Sequence, residues 1–183
     1  MEEQITPHTI TPLMFRIIRA LLPDGSTILE LGSGDGSTQY LSQFYKVYSV
    51  ESEENWVGKY NSTYIYCPLK EIKPTKHFAK SVVWYDPEKI KIEIPKIKYD
   101  FLLIDGPAGA ENRGGLYKYR HTFNFDVPII FDDTNRTPDN FLARAISSYS
   151  NKKCIFTFDL QSRKQFSLIF PNKELINKIL EFI

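Results

Sequence analysis

Apolar positions along this chain change spacing several times, and each change marks an element. From Pro12 to Leu22 they fall at Leu13, Ile17, Ala20 and Leu21, one face of a helix. Thr11 offers a capping hydroxyl, Pro12 fits a first turn whose N–H has no partner anyway, and Pro23-Asp24-Gly25 stops the run. Short, nearly continuous apolar runs follow at 27–31, 46–50, 63–67, 99–104 and 127–131. Several lack polar alternation, as expected for strands covered on both faces, and hence for a parallel sheet. Helical connectors are predicted over 37–45, 53–60 and 138–149, the last opening at Thr137-Pro138 with Phe141, Leu142, Ala145 and Ile146 on one face. Cys154 to Phe158 and Phe166 to Phe170 flank a polar stretch, the pattern of an antiparallel hairpin. The stretch 69–98 carries Pro74, Pro87 and Pro95, and its alternation from Lys89 to Ile94 fits an edge strand or a partial helix. Strands alternating with helices define the α/β class: a doubly wound, mostly parallel, Rossmann-like sheet of seven strands, five plus the C-terminal antiparallel hairpin.

Composition narrows the partners more than the fold. With 183 residues, one domain covering 1–183 is expected. The 23 basic and 22 acidic side chains balance, so no overall field points to nucleic acid or to a membrane surface. Cys67 and Cys154 border apolar runs and read as small buried hydrophobes rather than a disulfide or metal ligands, which makes a reducing, cytoplasmic setting the expectation. The N-terminus shows no basic region followed by an apolar core, and no apolar run approaches the about 18 residues of a membrane span.

The chemistry starts at Thr27-Ile-Leu-Glu-Leu-Gly-Ser-Gly-Asp-Gly36, a strand running into a glycine loop, with Glu51 closing the next apolar run. That spacing suits a nucleoside cofactor, whose ribose hydroxyls donate to an acid after the second strand. Backbone that turns sharply against a ligand is expected to want no Cβ and positive φ at Gly32, Gly34 or Gly36, and a helix over 37–45 would aim its N–H groups at the ligand. A dinucleotide loop places its third glycine one residue later than Gly36, where this chain has Ser37, and Glu30 would repel a phosphate while accepting a cationic group. The pattern Glu30-x-Gly32-x-Gly34-x-Gly36 resembles the first motif of class I S-adenosylmethionine-dependent methyltransferases. The resemblance implies that Glu30, Gly32, Ser33, Gly34 and Gly36 hold the methionine part of S-adenosylmethionine and Glu51 the ribose, with 1–25 as a helical cover beside the cofactor entrance.

Two further strands end in acids: 99–104 runs into Asp105-Gly106-Pro107, and 127–131 into Asp132-Asp133-Thr134-Asn135. Open α/β sheets bind ligands beyond the carboxyl ends of their strands, and neighbouring strands lie about 5 Å apart, so these carboxylates can converge on one hard cation such as Mg²⁺. The arrangement resembles the metal-dependent O-methyltransferases of the catechol and caffeoyl-coenzyme A type, which implies Asp105, Asp132 and Asp133 as ligands. It departs from them in having Asp133 in place of an amide and in lacking the lysine after the strand-four Asp. Asp-Gly-Pro followed by Asn112-Arg113-Gly114-Gly115 also resembles the glucuronoxylan O-methyltransferases and related small bacterial methyltransferases. Without a metal, Asp105 or Asp132 is a candidate general base, and His121 another; alternatively Asp105 accepts loop N–H bonds, Asp132 or Asp133 caps a turn, and His121 packs. Asp105 counts among the expected cofactor contacts as well. Trp84-Tyr85 and Tyr117-x-Tyr119 offer aromatic faces, although core packing is the expectation for Trp84; Arg113 and Arg120 can grip an acidic group, while Arg136 neutralises Asp132 and Asp133. The implied activity is methyl transfer to an oxygen of a small molecule or saccharide. The alternatives are a nitrogen or carbon acceptor, a non-catalytic cofactor-binding protein, and a nicotinamide-dependent oxidoreductase, which Glu30 and Ser37 disfavour.

Overall fold

The computed structural model describes residues 10–180. Helix α1 spans Pro12–Leu21; Thr11 caps it, its Oγ1 accepting from Met14 N at 3.1 Å. The first four strands are β1 (Thr27–Leu31), β2 (Lys46–Glu51), β3 (Thr63–Tyr66) and β4 (Leu69–Glu71). They are followed by β5 (Val83–Tyr85), β6 (Phe101–Ile104), β7 (Ile129–Phe131), β8 (Lys153–Asp159) and β9 (Lys164–Phe170). Seven of these form one sheet in the order β3-β2-β1-β6-β7-β9-β8, with only β9 antiparallel to β7 and β8. Strand order reverses beside β1, where β2 lies on one side and β6 on the other, and that is where such sheets open a crevice.

The sheet is apolar on both faces because both are covered. In β6, Phe101 and Leu103 join Ile17, Ile18 and Phe166 on the α1 side. Leu102 and Ile104, on the opposite face, join Trp84 and Leu142, Ala143 and Ile146. Residues of the central strands β6 and β7 therefore find a dry partner whichever way they point, which explains their unbroken apolar runs. Helix α5 (Thr137–Ser150) ends at Asn151 in the left-handed conformation, a common helix stop.

Three expectations are corrected and one open alternative is resolved. Instead of a helix over 37–45, α2 covers only Thr38–Leu41 and the chain closes in tight turns through Tyr45. Instead of a helix over 53–60, there is one 3₁₀ turn at Glu54–Trp56, broken by Gly58 at φ +80°. The ambiguous stretch before β6 resolves as helix α3 (Pro87–Glu93), which Asp86 caps and Pro87 initiates, preceded by an antiparallel β4–β5 pair. Strands β6 and β7 start two residues later than expected: Asp100 turns its carboxylate to Thr27 N at 2.8 Å, and Pro128 has no N–H to give. Trp84 is fully buried and stacked on Tyr119 at 5.3 Å, a packing residue. Both cysteines are free thiols. Among the described residues no helix is long and apolar enough to cross a membrane.

Candidate functional site

The parallel ladder delivers three loops to one place. Beyond the strand ends, Gly32 N bonds Val50 O at 2.9 Å, Asp105 N bonds Leu31 O at 3.0 Å, and Asp132 N bonds Ile104 O at 3.0 Å. Around these tips lies a cleft of about 490 Å³, which Gly32, Ser33, Glu51, Trp56, Tyr85, Asp105, Asp133, Arg136 and Lys164 help to line. Two glycines let the loops meet. A Cβ on Gly106 would stand 2.8 Å from the Gly32 Cα and N and 2.3 Å from the Tyr85 hydroxyl, while Gly32 itself sits at φ +91°. Of the loop glycines expected to meet this demand, Gly32 is the one at positive φ, while Gly34 and Gly36 are not.

At the β2 end, Glu51 is 5% exposed and accepts from Ser52 N (2.6 Å) and Glu53 N (2.8 Å) on one oxygen, and from Ser33 N (3.0 Å) and the Ser33 hydroxyl on the other. The backbone donors fix its direction, while the hydroxyls of Ser33 and, at 3.5 Å, Ser52 can rotate away for a ligand hydroxyl. The cleft suits an adenosine-type cofactor on these grounds: a fixed carboxylate, the half-buried Trp56 on the same wall, and a loop at Gly32 with no side chain in the way. The loop N–H groups contribute less than expected, since Ser33 N serves Glu51, Gly34 N serves Thr38 Oγ1 at 3.0 Å, and α2 is a single turn.

Glu30 lies beneath the loop rather than in the cleft. It is fully buried, and one oxygen accepts from Thr38 Oγ1 (2.7 Å) and Ser49 Oγ (2.9 Å) while Oε1 has no partner. Burial pushes its carboxyl up to about 7, against the pull of the Ser37, Thr38 and Ser49 hydroxyls.

The acidic tips of β6 and β7 form one network with three basic side chains. Buried Arg113, from the 3₁₀ turn Ala110–Gly114, reaches Asp105 at 3.2 Å, Asp133 at 3.5 Å and Asp139 at 3.6 Å. It also donates to the main-chain carbonyls of Asp105, Pro107 and Asp132. Arg136 binds Asp133 and Asp139, each at 2.7 Å. Lys164 binds Asp132 at 2.9 Å and lies 3.6 Å from Asp133. Asp133 adopts φ +57°, a region Asp tolerates, and its N–H is held by Asp132 Oδ1 at 2.7 Å. Burial raises the Asp105 carboxyl, with Arg113 opposing, and lifts Asp132 to about 7, with the Asp105 charge adding and Lys164 opposing. Burial alone would lower Arg113, but Asp105, Asp139, Asp133 and Asp132 hold it above its ordinary value.

Of the residues singled out from sequence, Gly32, Ser33, Glu51, Asp105 and Asp133 meet at the cleft. Asp132, 1% exposed, sits below it and bonds Lys164 and a main-chain N–H, so it reaches ligand only through neighbours. His121 is exposed on a 3₁₀ turn, Arg120–Thr122, and is not among the lining residues; Arg120 leans over Tyr117 at 4.4 Å. Trp56, Asp139 and Lys164 escaped the sequence reading. Lys164 arrives because β9 runs antiparallel to β7, with Phe131 opposite Ser167, so the first residues of β9 lie past the β7 tip. The carboxylates of Asp105, Asp132 and Asp133 bring oxygens within 4.8 Å of one another. Each already pairs with a basic side chain, and a divalent ion does not fit the network as it stands.

This strand order with its reversed last pair defines the class I methyltransferase fold, and solved structures of that fold superpose on the chain. An rRNA methylase from Streptococcus thermophilus matches with a TM-score of 0.55 at 11% identity, over 86% of this chain and 93% of that one. Fibrillarin from Aeropyrum pernix, crystallised with S-adenosyl-L-methionine, matches with a TM-score of 0.51 at 15% identity, over 80% and 67%. The MycE methyltransferase of mycinamycin biosynthesis, in complex with Mg and SAH, gives 0.52 at 13% identity, over 87% of this chain and 45% of that one. No family model and no curated protein sequence matches the chain.

Proposed function

We propose that the protein is an S-adenosylmethionine-dependent methyltransferase acting on an oxygen of a small molecule or saccharide. The observation that carries this is Glu51, fixed at the end of β2 by three backbone N–H groups and facing the same cleft as Asp105. The bound cofactor would supply an electrophilic methyl group, and Gly32, Ser33, Glu51 and Trp56 are the residues to hold it. Direct transfer asks the protein chiefly for alignment, because the acceptor oxygen must approach in line with the leaving sulfur. Asp105 and Asp133 line the cleft and can each accept a hydrogen bond from an acceptor hydroxyl, fixing its lone pair toward the methyl group. Asp105 is the candidate to receive the hydroxyl proton, since burial raises its carboxyl and makes it a stronger base than a surface aspartate. Tyr85 lines the cleft and keeps its proton, burial holding its phenol well above the ordinary value.

Calorimetry with S-adenosylmethionine, S-adenosylhomocysteine and NAD tests the assignment. Binding of the two adenosyl ligands at about micromolar Kd, weakened about 100-fold or more in Glu51→Ala, is the expected result. Absence of adenosyl binding at about millimolar ligand overturns it, and NAD binding instead would favour the oxidoreductase. Methyl transfer absent across an acceptor screen despite tight binding would favour a cofactor-binding, non-catalytic protein.

A further inference from the structure

We propose that Lys164 stands where a divalent cation would, so that this cleft holds its acceptor without a metal. The inference rests on the methyl-transfer reading of the cleft, but its structural core does not. Three carboxylates from two strand tips, Asp105, Asp132 and Asp133, converge as a hard-cation site requires. Left alone, their mutual repulsion in a partly buried place would be unfavourable, and something positive has to sit among them. The chain provides that charge from a third strand: the Lys164 ammonium is 2.9 Å from the buried Asp132 and 3.6 Å from Asp133. Arg113 and Arg136 cover the remaining sides of Asp105 and Asp133. Counting Asp139, four carboxylates face three basic groups, so the network is nearly neutral before any ion is added.

The position of Lys164 is built rather than incidental. Its side chain is 17% exposed, and β9 pairs with β7 on one edge and β8 on the other, which fixes the start of the strand above the β7 tip. Its ammonium faces acids. The ammonium, shared between Asp132 and Asp133, supplies positive charge on the wall of the cleft that Lys164 lines. Lys164 is thus a positioning residue, holding Asp132 and Asp133 in place with the positive charge a metal would otherwise supply.

The test is divalent-ion binding, which a merely structural lysine would not control. Mn²⁺ is titrated into the full-length protein by electron paramagnetic resonance, and Mg²⁺ by calorimetry, for the native protein, Lys164→Met, Lys164→Gln and Lys164→Arg. The native protein and Lys164→Arg are expected to show no site below about 1 mM. Lys164→Met and Lys164→Gln are expected to bind Mn²⁺ at least about tenfold more tightly, and adding Asp132→Asn should abolish the gain. A native Kd below about 100 µM overturns the proposal whatever the variants do, as does a folded Lys164→Met or Lys164→Gln with no gain. S-adenosylmethionine titrated in parallel separates the two readings: its failure to bind removes the methyltransferase assignment and leaves the ion result standing.

Discussion

Arg113 offers the sharpest test of how the site is held together. Its guanidinium is buried among Asp105, Asp133 and Asp139 and donates to three main-chain carbonyls at the loops beyond β6 and β7. Arg113→Met keeps the apolar stem and removes the charge. Asp133 and Asp139 retain Arg136, whereas Asp105 loses its ion pair with Arg113 and the carbonyls lose donors. Removing one member of a buried ion pair costs about 3–5 kcal/mol, and the remaining Arg136 contacts favour the lower half of that range. For a domain of this size each kcal/mol lowers Tm by about 2–4 °C, so a fall of about 6–16 °C is expected by circular dichroism. Adding Asp139→Asn, which removes a carboxylate made surplus by the first change, should return about 1–2 kcal/mol, a coupling that a double-mutant cycle measures. A Tm fall under about 3 °C, or strict additivity of the two changes, would refute the view that this arginine neutralises the acidic loops.

Two further predictions follow from buried groups. Glu30 has its carboxyl raised from 4.5 to about 7 by burial. The fold therefore favours the protonated form: its contribution is full below about 4.5 and is lost as pH rises through about 7, a swing of about 3 kcal/mol at most. Glu30→Gln should flatten the stability profile across that window in urea titrations, and an unchanged profile would rule the assignment out. Gly106→Ala should cost about 3 kcal/mol, because its Cβ would meet Gly32 backbone at 2.8 Å. Gly34→Ala, whose Cβ has nothing nearer than 4.0 Å, should melt within about 2 °C of the native protein; equal losses at the two glycines would contradict the geometry.

What the sequence determined by itself was local or strictly periodic. The α1 face, the five apolar runs, the hairpin and the spacing from Gly32 to Glu51 all depend on neighbours a few residues apart or on strand ends that a parallel sheet aligns automatically. Asp105, Asp132 and Asp133 were legible for the same reason, being the residues that follow two strands. Where the reading failed, longer-range packing decided. The segment 37–45 has helical spacing, but the chain must return to start β2 beside β1, and Gly25 N accordingly bonds Phe44 O at 2.8 Å. Glu30 read as a ligand-facing acid, yet its strand position turns it to the covered side, against Thr38 and Ser49. His121 lay in the right stretch of chain, but the turn that carries it faces solvent. Lys164 could not be assigned from sequence, because nothing local distinguishes it from other lysines in a polar hairpin. Its place is set by the antiparallel register of β9 on β7, so whether the acids end beside a metal ion or a lysine is a property of the assembled sheet alone.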